Sequence, residues 1–481
     1  MANELTAKGF VKKLVGFSMA SWISAFISFA ITPIFTRLFL PEQVGHINLF
    51  TTYMTFFQTV CVLALDQTFM RFYNEELEGI RKDNFLTYCL KINLCISGIS
   101  MVCILGGYTF FSTQIAGRKD LVIAVCLVIS IVCSTFLRMS SISSRMKKNT
   151  ILYTFQVLAV TFVDKVLVTL IGFYRPNHKF AIIGMTIGYV VIAVVFFWIK
   201  RQDLKMISKV PRTTTIMLLK YALPYLPVLV LAWLNSSIPL LVLKKYVDFS
   251  AIGIYTNAVT LANVLSIVQT GFSAYWEPFF YQYYKEETAK EKIIKIQKMV
   301  IFGILVIAIG IVLFQDILYL FIGEKYRVSK AFFPFLMMTP ICSLIADMTG
   351  IGIKLSKKNY LNIYVFISNV VVNLGISYVL VPKIGVAGAG IAVACSALVM
   401  LTVRTIFGCK YYKISENNKF IVASMSVMTG VTLANMLIKT DLIRYIVLSG
   451  FLLGLCIIYK ETLKWLLIFF KRSVLGKRSE K

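Results

Sequence analysis

An acid and a base side by side in an apolar run are the residues of this chain best placed to do chemistry. Asp164 and Lys165 are the fourteenth and fifteenth residues of the stretch Ile151 to Phe173. As a helix, a stretch of that length spans the ~30 Å hydrocarbon core of a bilayer, so neither charge reaches an interface easily. Adjacent helical positions diverge by about 100°, so the two make no tidy pair with each other. Each needs a partner on another helix, a bound ion or a ligand, and a structural inter-helix salt bridge is the competing reading. Arg37, Asp66, Arg71, Lys91, Asp316 and Asp347 lie in or beside other apolar stretches. Snorkelling to the interface competes with a ligand role for Arg37, Arg71 and Lys91.

Other chemistries find no residues to carry them. There is no GxxxxGK[ST] loop for ATP and no His-Glu metal helix, and His46 and His178 are too few and too far apart in the sequence for a metal site. The ten cysteines lie mostly within apolar stretches without CxxC spacing and read as small buried hydrophobes. No metal or cofactor is expected. A polytopic glycosyltransferase would carry catalytic carboxylates in sizeable loops, whereas the loops here are short and mainly basic. The expectation is a protein that is not an enzyme.

Neutral polar residues form the second pattern. Asn48, Thr52, Thr55, Thr59 and Asp66 recur at steps of three, four or seven, as do Thr256, Thr260, Asn263, Ser266, Thr270 and Ser273. Each set lies on one helical face. An offset of 208 residues places Asn48 on Thr256, Thr52 on Thr260 and Thr55 on Asn263. The same offset aligns Arg37–Gly45 with Lys245–Gly253, with the glycines coincident, and Phe72-Tyr73 with Phe280-Tyr281. Polar stripes in lipid must face protein or water. They either line a cavity or bond neighbouring helices together. Ser18, Ser21, Ala25, Ser28 and Thr32 make a further small-residue stripe, open to the same two readings.

The elements that must carry these residues are transmembrane helices. With 58% hydrophobic residues and a mean hydropathy of +0.78, the chain has too little polar surface for a soluble globule of 481 residues. Fourteen spans are predicted: Leu14–Thr36, Val44–Leu65, Leu90–Phe111, Leu121–Leu137, Ile151–Phe173, Phe180–Ile199, Tyr221–Leu243, Ile252–Ala274, Met299–Phe321, Ala331–Ile353, Tyr360–Val381, Val386–Val403, Phe420–Ile438 and Tyr445–Tyr459. The last is short. The fold class is an all-α polytopic membrane protein, with two six-helix lobes related by a parallel pseudo-two-fold and two extra C-terminal helices. The organisation expected is residues 1–200 as the first lobe, 201–219 as a cytoplasmic linker, 220–408 as the second lobe and 409–481 as two helices with a basic cytoplasmic tail. Pro224, Pro227 and Pro239 mark the seventh span as one that bends, with opening of a cavity as its consequence.

The net charge of +28 reflects topology. Segments on the side of the N-terminus hold 35 of the 50 Lys and Arg against 13 opposite, which predicts both termini in the cytoplasm. The basic segments Lys200–Lys220 and Lys285–Lys298 and the tail from Lys471 to Arg478 read as topology determinants touching anionic lipid. Nucleic acid is not an expected partner. The first span is too long for a signal-peptide core, so neither cleavage nor an extramembrane domain is expected.

The chain resembles the Wzx-type polysaccharide flippases of the multidrug/oligosaccharidyl-lipid/polysaccharide (MOP) superfamily. The resemblance rests on the fourteen-span layout, Phe-Val-Lys-Lys-Leu-Val-Gly from Phe10, the loop from Thr36-Arg37-Leu38 to Gly45, the run Asp66 to Phe72 and Pro382-Lys-Ile-Gly-Val-Ala-Gly388. It implies transfer of an undecaprenyl-pyrophosphate-linked oligosaccharide between leaflets of a bacterial inner membrane, through a cavity between two lobes. Membrane lipids, the polysaccharide polymerase and other assembly proteins would be its partners. Family members place Arg or Lys in the cavity; here the two stripes are mostly neutral, so Arg37, Arg71, Lys91 and Lys165 are the candidate cations, beside Asn48, Thr52, Thr55, Thr256, Thr260 and Asn263. Asp66 and Asp164 are candidates for coupling to a proton or sodium gradient. They also keep open a cation-coupled drug exporter, while a non-transporting partner of a glycan synthase remains a reading from another class.

Overall fold

The structure is a computed structural model that describes residues 7–80, 84–204, 210–283, 289–356, 358, 360–412 and 419–465. Among these residues the regular elements are all helices; no strand forms, and Leu77 and Ile80 make an isolated antiparallel bridge. The tail from Lys471 to Arg478 and Lys285 lie outside the described residues, as do the side chains up to Ser18.

The helices up to residue 262 are α1 (Ala7–Leu38), α2 (Pro41–Val62), α3 (Leu65–Phe72), α4 (Phe85–Gly106), α5 (Tyr108–Ala116), α6 (Leu121–Met146), α7 (Thr150–Thr161), α8 (Val168–Tyr174), α9 (His178–Lys200), α10 (Arg212–Ala222), α11 (Leu226–Tyr246) and α12 (Phe249–Ala262). They continue as α13 (Val264–Tyr283), α14 (Ala289–Leu313), α15 (Gln315–Phe321), α16 (Phe333–Thr349), α17 (Ile351–Leu355), α18 (Leu361–Ile384), α19 (Val386–Tyr411), α20 (Lys419–Leu437) and α21 (Asp441–Ile458). Among the described residues, eleven helices are long and apolar enough to cross a membrane, and up to fourteen spans result if each of three bent pairs is one span. The short last span is an 18-residue helix.

Several helix starts follow from local chemistry. The side chains of Asp120, Asn149 and Asn177 accept backbone N–H bonds at the starts of α6, α7 and α9, and Pro41 opens α2, where its missing N–H is not needed. The breaks are less expected. Span two divides into α2 and α3 at a bend of 45°, where Leu63 and Ala64 both adopt left-handed φ values of 51° and 54°. Two consecutive non-glycine residues in that region are strained. Span eight divides at Asn263 with a bend of 46°. The continuous polar faces expected from the sequence therefore end at these points: Asp66 lies past the first bend, and Ser266 to Ser273 lie past the second. Span seven departs from α-helix at Leu223–Tyr225, a single 3-10 turn that contains Pro224 and runs into Pro227 at the start of α11, while Pro239 is accommodated within α11.

By internal packing the chain divides into two compact units. The first comprises residues 1–260 with 322–326 and 377–386, and the second comprises the remainder. The boundary by packing falls within α12, at Thr260–Leu261. In the second unit, Asp347 of α16 pairs with Arg404 at 3.1 Å and accepts from Ser273 at 2.6 Å and Gln269 at 3.3 Å. Asp316 receives Arg444 at 2.7 Å together with Tyr445 and Lys330, tying α21 to the segment around α15. Both carboxylates left as span-border charges by the sequence are therefore in ion-pair networks.

Within the first unit α2 and α12 meet through their glycines. A Cβ on Gly45 would stand 1.9 Å from the carbonyl oxygen of Phe249, and one on Gly253 would stand 2.0 Å from that of Pro41. Gly45 and Gly253, and equally Pro41 and Phe249, are 208 residues apart. One turn further in, Asn48 Nδ2 donates to Thr256 Oγ1 at 2.9 Å, again across 208 residues. A contact in which i meets j while j's equivalent meets i's is the mark of a local two-fold axis. Only glycine lets the backbones approach this closely. Gly45→Ala and Gly253→Ala are each expected to lower stability by roughly 1–3 kcal/mol through overpacking. Gly98→Ala in α4, whose added carbon meets nothing, should instead be neutral or stabilising by up to about 1 kcal/mol. Thermal unfolding in detergent measures all three.

Candidate functional site

Inward of the Gly45–Gly253 crossing lies a narrow polar crevice. It is lined by Ser28, Thr32 and Thr36 of α1, Asn48 of α2, Thr256, Asn257 and Thr260 of α12, Lys165 and Tyr326. Its volume is about 30 Å³, room for about two waters. The hydroxyls mostly donate to carbonyls of their own helix four residues back: Ser28 to Ser24, Thr32 to Ser28, Thr36 to Thr32, Thr256 to Ile252 and Thr260 to Thr256. Of these stripes, Asn48 and Thr256 bond to each other across helices here, so bonding between helices does not exhaust what the polar residues do.

Lys165 reaches the crevice because the middle of span five is not α-helical. Phe162–Leu167 form a π-helical turn between α7 and α8. Such a turn inserts a residue and re-aims its neighbours, and it recurs at functional sites. Asp164 consequently faces a different space. Tyr189 OH donates to Asp164 Oδ1 at 3.0 Å, and both line a cavity of about 460 Å³ with Ser21, Thr55, Gln58 and Arg138. The pair Asp164–Lys165 thus serves two cavities, as the divergence of adjacent helical positions requires.

Asp66, which the sequence offers for ion coupling, is an ion-pair partner. Its side chain is 3% exposed and binds Arg138 Nη2 at 2.9 Å. These two, with Gln58, Thr59, Trp233 and Ser236, line a third space of about 290 Å³. Trp233 Nε1 lies 3.3 Å from both Thr52 O and Thr55 Oγ1, joining α11 to the α2 stripe. Arg138 is the site residue that sequence reasoning missed. The apolar run stops at Leu137, but α6 continues to Met146, so a cation read as a loop residue is helical and lines two cavities.

The remaining candidates lie apart from the crevice. Arg37 is exposed at the end of α1. Arg71 pairs with Glu75 and lies over the Phe72 ring, and its side chain is 53% exposed. Lys91 is exposed on the flank of α4. All three can keep their charges hydrated at a helix end or rim, which is the snorkelling outcome. Asn263 is exposed at the break after α12 and does not join Thr256 and Thr260 in the crevice.

At the end of the crevice opposite the N-terminus the chain is tightly knitted. Gly323 N–H donates to Thr36 Oγ1 at 3.0 Å, and Tyr326 OH donates to the Phe39 carbonyl at 2.8 Å. His46 and His178, distant in sequence, have ring centroids 4.3 Å apart, and His46 also packs on Phe249 at 4.0 Å. His46 Nδ1 lies 2.7 Å from the Ile115 carbonyl, and His178 Nδ1 lies 2.8 Å from Gln43 Oε1. Among the described residues no group of three metal-ligating side chains accompanies them. Nearby, burial opposes the charge on Asp120, yet Lys179 at 2.7 Å and the Val122 N–H hold its carboxyl below the usual carboxylate range.

The fold has solved counterparts. A structure titled "Lipid II flippase MurJ, inward closed conformation" matches with a TM-score of 0.63 over 93% of this chain and 99% of its own, at 16% identity. An inward-facing MATE-family multidrug resistance transporter of the MOP superfamily matches with a TM-score of 0.58 over 84% of this chain and 99% of its own, also at 16% identity. The chain shares the fold of these two structures, and with eleven to fourteen candidate spans among the described residues it is a multi-pass membrane protein. Residues 10–284 match the family described as "Polysaccharide biosynthesis protein", and the chain belongs to that family. No curated protein sequence matches it.

Removing Arg138 leaves the buried Asp66 carboxylate without its counter-ion, whereas removing Asp66 leaves a guanidinium that is half exposed. Asp66→Asn and Arg138→Gln are expected to show a coupling of roughly 0.5–3 kcal/mol in a double-mutant cycle of unfolding, with Arg138→Gln the more damaging single change. Additive effects would show that the pair is not formed in the membrane protein.

Proposed function

We propose that this protein moves an undecaprenyl-pyrophosphate-linked oligosaccharide from the cytoplasmic to the outer leaflet of a bacterial inner membrane by alternating access, with both termini in the cytoplasm. The observation that carries the reading is Lys165, presented by a π-helical turn from mid-span into a crevice whose polar lining is otherwise neutral hydroxyls and amides, beside Ile31, Phe35 and Val44. A pyrophosphate and sugars cannot cross hydrocarbon unaided. Hydroxyls and amides suit a glycan, and an ammonium suits a phosphate, while the lipid tail stays in the bilayer. Arg138, half-exposed beside Gln58 and Ser236, would meet the anionic head group first. The match to a polysaccharide-biosynthesis family and the likeness to a structure titled a lipid II flippase support the same substrate class. At about 30 Å³ the crevice has room for about two waters and none for a sugar, so in this conformation it is shut.

Asp164 favours a second element of the account, coupling to a cation gradient. It sits in a polar cavity beside Tyr189, separate from the crevice that takes Lys165. A carboxylate there can exchange a proton or sodium ion without contesting the substrate's phosphate. The same feature would serve a drug exporter.

The test is the leaflet distribution of undecaprenyl-linked sugar intermediates in cells lacking the protein, restored with wild type or variants. Lys165→Ala is expected to leave intermediates trapped on the cytoplasmic face, about as in the deletion. Normal export in the deletion strain, with redundant flippases removed, would overturn the flippase reading. With purified protein in vesicles, Asp164→Asn is expected to lose the response of flipping to an imposed proton or sodium gradient. An unchanged gradient response would remove Asp164 from coupling.

A further inference from the structure

The two histidines of the chain play no part in the crevice, yet they meet at its closed end. Their hydrogen bonds fix which nitrogen of each ring carries hydrogen. The His178 backbone N–H donates to Gln43 Oε1 at 2.7 Å, so that atom is an amide oxygen acting as acceptor. His178 Nδ1 lies 2.8 Å from the same oxygen and is therefore N–H. His46 Nδ1, 2.7 Å from the Ile115 carbonyl, is N–H for the same reason. In each neutral ring Nε2 is bare, and a second proton enters there.

The two Nε2 atoms have different surroundings. His46 Nε2 is 3.8 Å from the Glu42 carboxylate, and its ring packs on Phe249, so a cation there is tolerated. His178 Nε2 is buried and, among the described residues, has no hydrogen-bond partner. The charged groups nearby offer it no acceptor. Asp120 is held by Lys179 at 2.7 Å and the Val122 N–H at 3.1 Å, with Arg118 at 3.8 Å. Beside Phe249, Asp248 accepts from the Ala251 N–H at 2.7 Å, and Lys244 stands 5.7 Å from the Phe249 ring. A proton on His178 would be a buried donor without an acceptor, 4.3 Å from the His46 ring and among Arg118, Lys179 and Lys244. The closed end therefore takes one proton on this pair, at His46, where an end opened to water takes two.

The pair also sits where closure is made: His46 follows Gly45, which lies against the Phe249 carbonyl, and Phe249 is the ring on which His46 packs. We propose that His178 is an acid-sensitive latch on this end. It holds α2 and α9 against α12 at neutral pH and lets them part when the compartment opposite the N-terminus acidifies. Because the open form binds one proton more, falling pH favours it. For an exposed imidazole titrating at about 6.5, the ratio of open to closed rises about tenfold between about pH 7.5 and about pH 5.5. The inference rests on the alternating-access reading only for the existence of an open form and is independent of what is carried.

The experiment measures spin-label distances in the full chain in vesicles, with Pro176→Cys before α9 and Val247→Cys before α12 in a chain whose ten native cysteines are replaced. Both positions are exposed. The labelled parent is expected to lose the short distance on acidification, its open-to-closed ratio rising about tenfold over that pH range. His178→Phe keeps a ring in place and should show one distribution at both pH values, whereas His46→Phe should keep the acid response. An unchanged distribution in the parent, or an equal acid response in His178→Phe, would overturn the proposal. With two histidines in the chain, nitrogen NMR of histidine-labelled wild type checks the premise without any substitution. Hydrogen on Nδ1 of both neutral rings is expected, and hydrogen on Nε2 of His178 would overturn the latch. Both readouts are indifferent to cargo, so failure of the flippase reading is a separate result.

Discussion

Two backbone carbonyls pressed against two glycines set the terms for the first unit. Where Gly45 faces Phe249 and Gly253 faces Pro41, helices α2 and α12 touch without side chains between them. In a membrane there is little hydrophobic force between helices, so association depends on such close packing and on the few hydrogen bonds that accompany it. Here the accompanying bond is Asn48 to Thr256. The crossing brings the two polar stripes together just inward of it, and the crevice is what remains between them. The bonds of Gly323 and Tyr326 to the end of α1, and the stacked rings of His46, His178 and Phe249, close the same end.

A closed end is useful to a transporter only if the polar residues behind it tolerate both burial and opening. The crevice hydroxyls of α1 and α12 donate to carbonyls of their own helices, so separating α2 from α12 strands none of them; the bond that Asn48 Nδ2 donates to Thr256 Oγ1 breaks, but Asn48 Nδ2 also donates to the Val44 carbonyl. Weak places for such a movement are built into the backbone. The left-handed pair Leu63–Ala64, the break at Asn263, the 3-10 turn at Leu223–Tyr225 and the π turn at Phe162–Leu167 each interrupt a span. Irregular backbone at membrane depth is tolerated where protein or water satisfies it. The interruptions in α2–α3 and at 223–225 flank the cavities holding Arg138 and Trp233, so bending there would change access to the same residues.

Much of this was legible in the chain because its sequence repeats at an offset of 208. The offset pairs Gly45 with Gly253 and Pro41 with Phe249, whose members exchange contacts, and Asn48 with Thr256, which bond to each other. Apolar length revealed the spans for the same reason that any helix crossing hydrocarbon must be apolar. What stayed hidden is equally physical. The break at Leu63–Ala64 has no glycine or proline to announce it, and the π turn at Asp164–Lys165 has no composition of its own. Arg138 was lost because an apolar run ends before its helix does. His46 and His178 meet only through the packing of α2 against α9, which no local spacing encodes.

The proposed alternating access turns on the parting of α2 from α12. Its most direct test is a cross-link across the contact, with Asn48→Cys and Thr256→Cys introduced together in a chain whose ten native cysteines are replaced. Oxidation to the disulfide, or bridging by a short thiol reagent, is expected to arrest flipping of the lipid-linked oligosaccharide in vesicles, and reduction of the disulfide to restore it, with either single cysteine unaffected. Undiminished flipping by protein shown to be fully cross-linked would contradict the account.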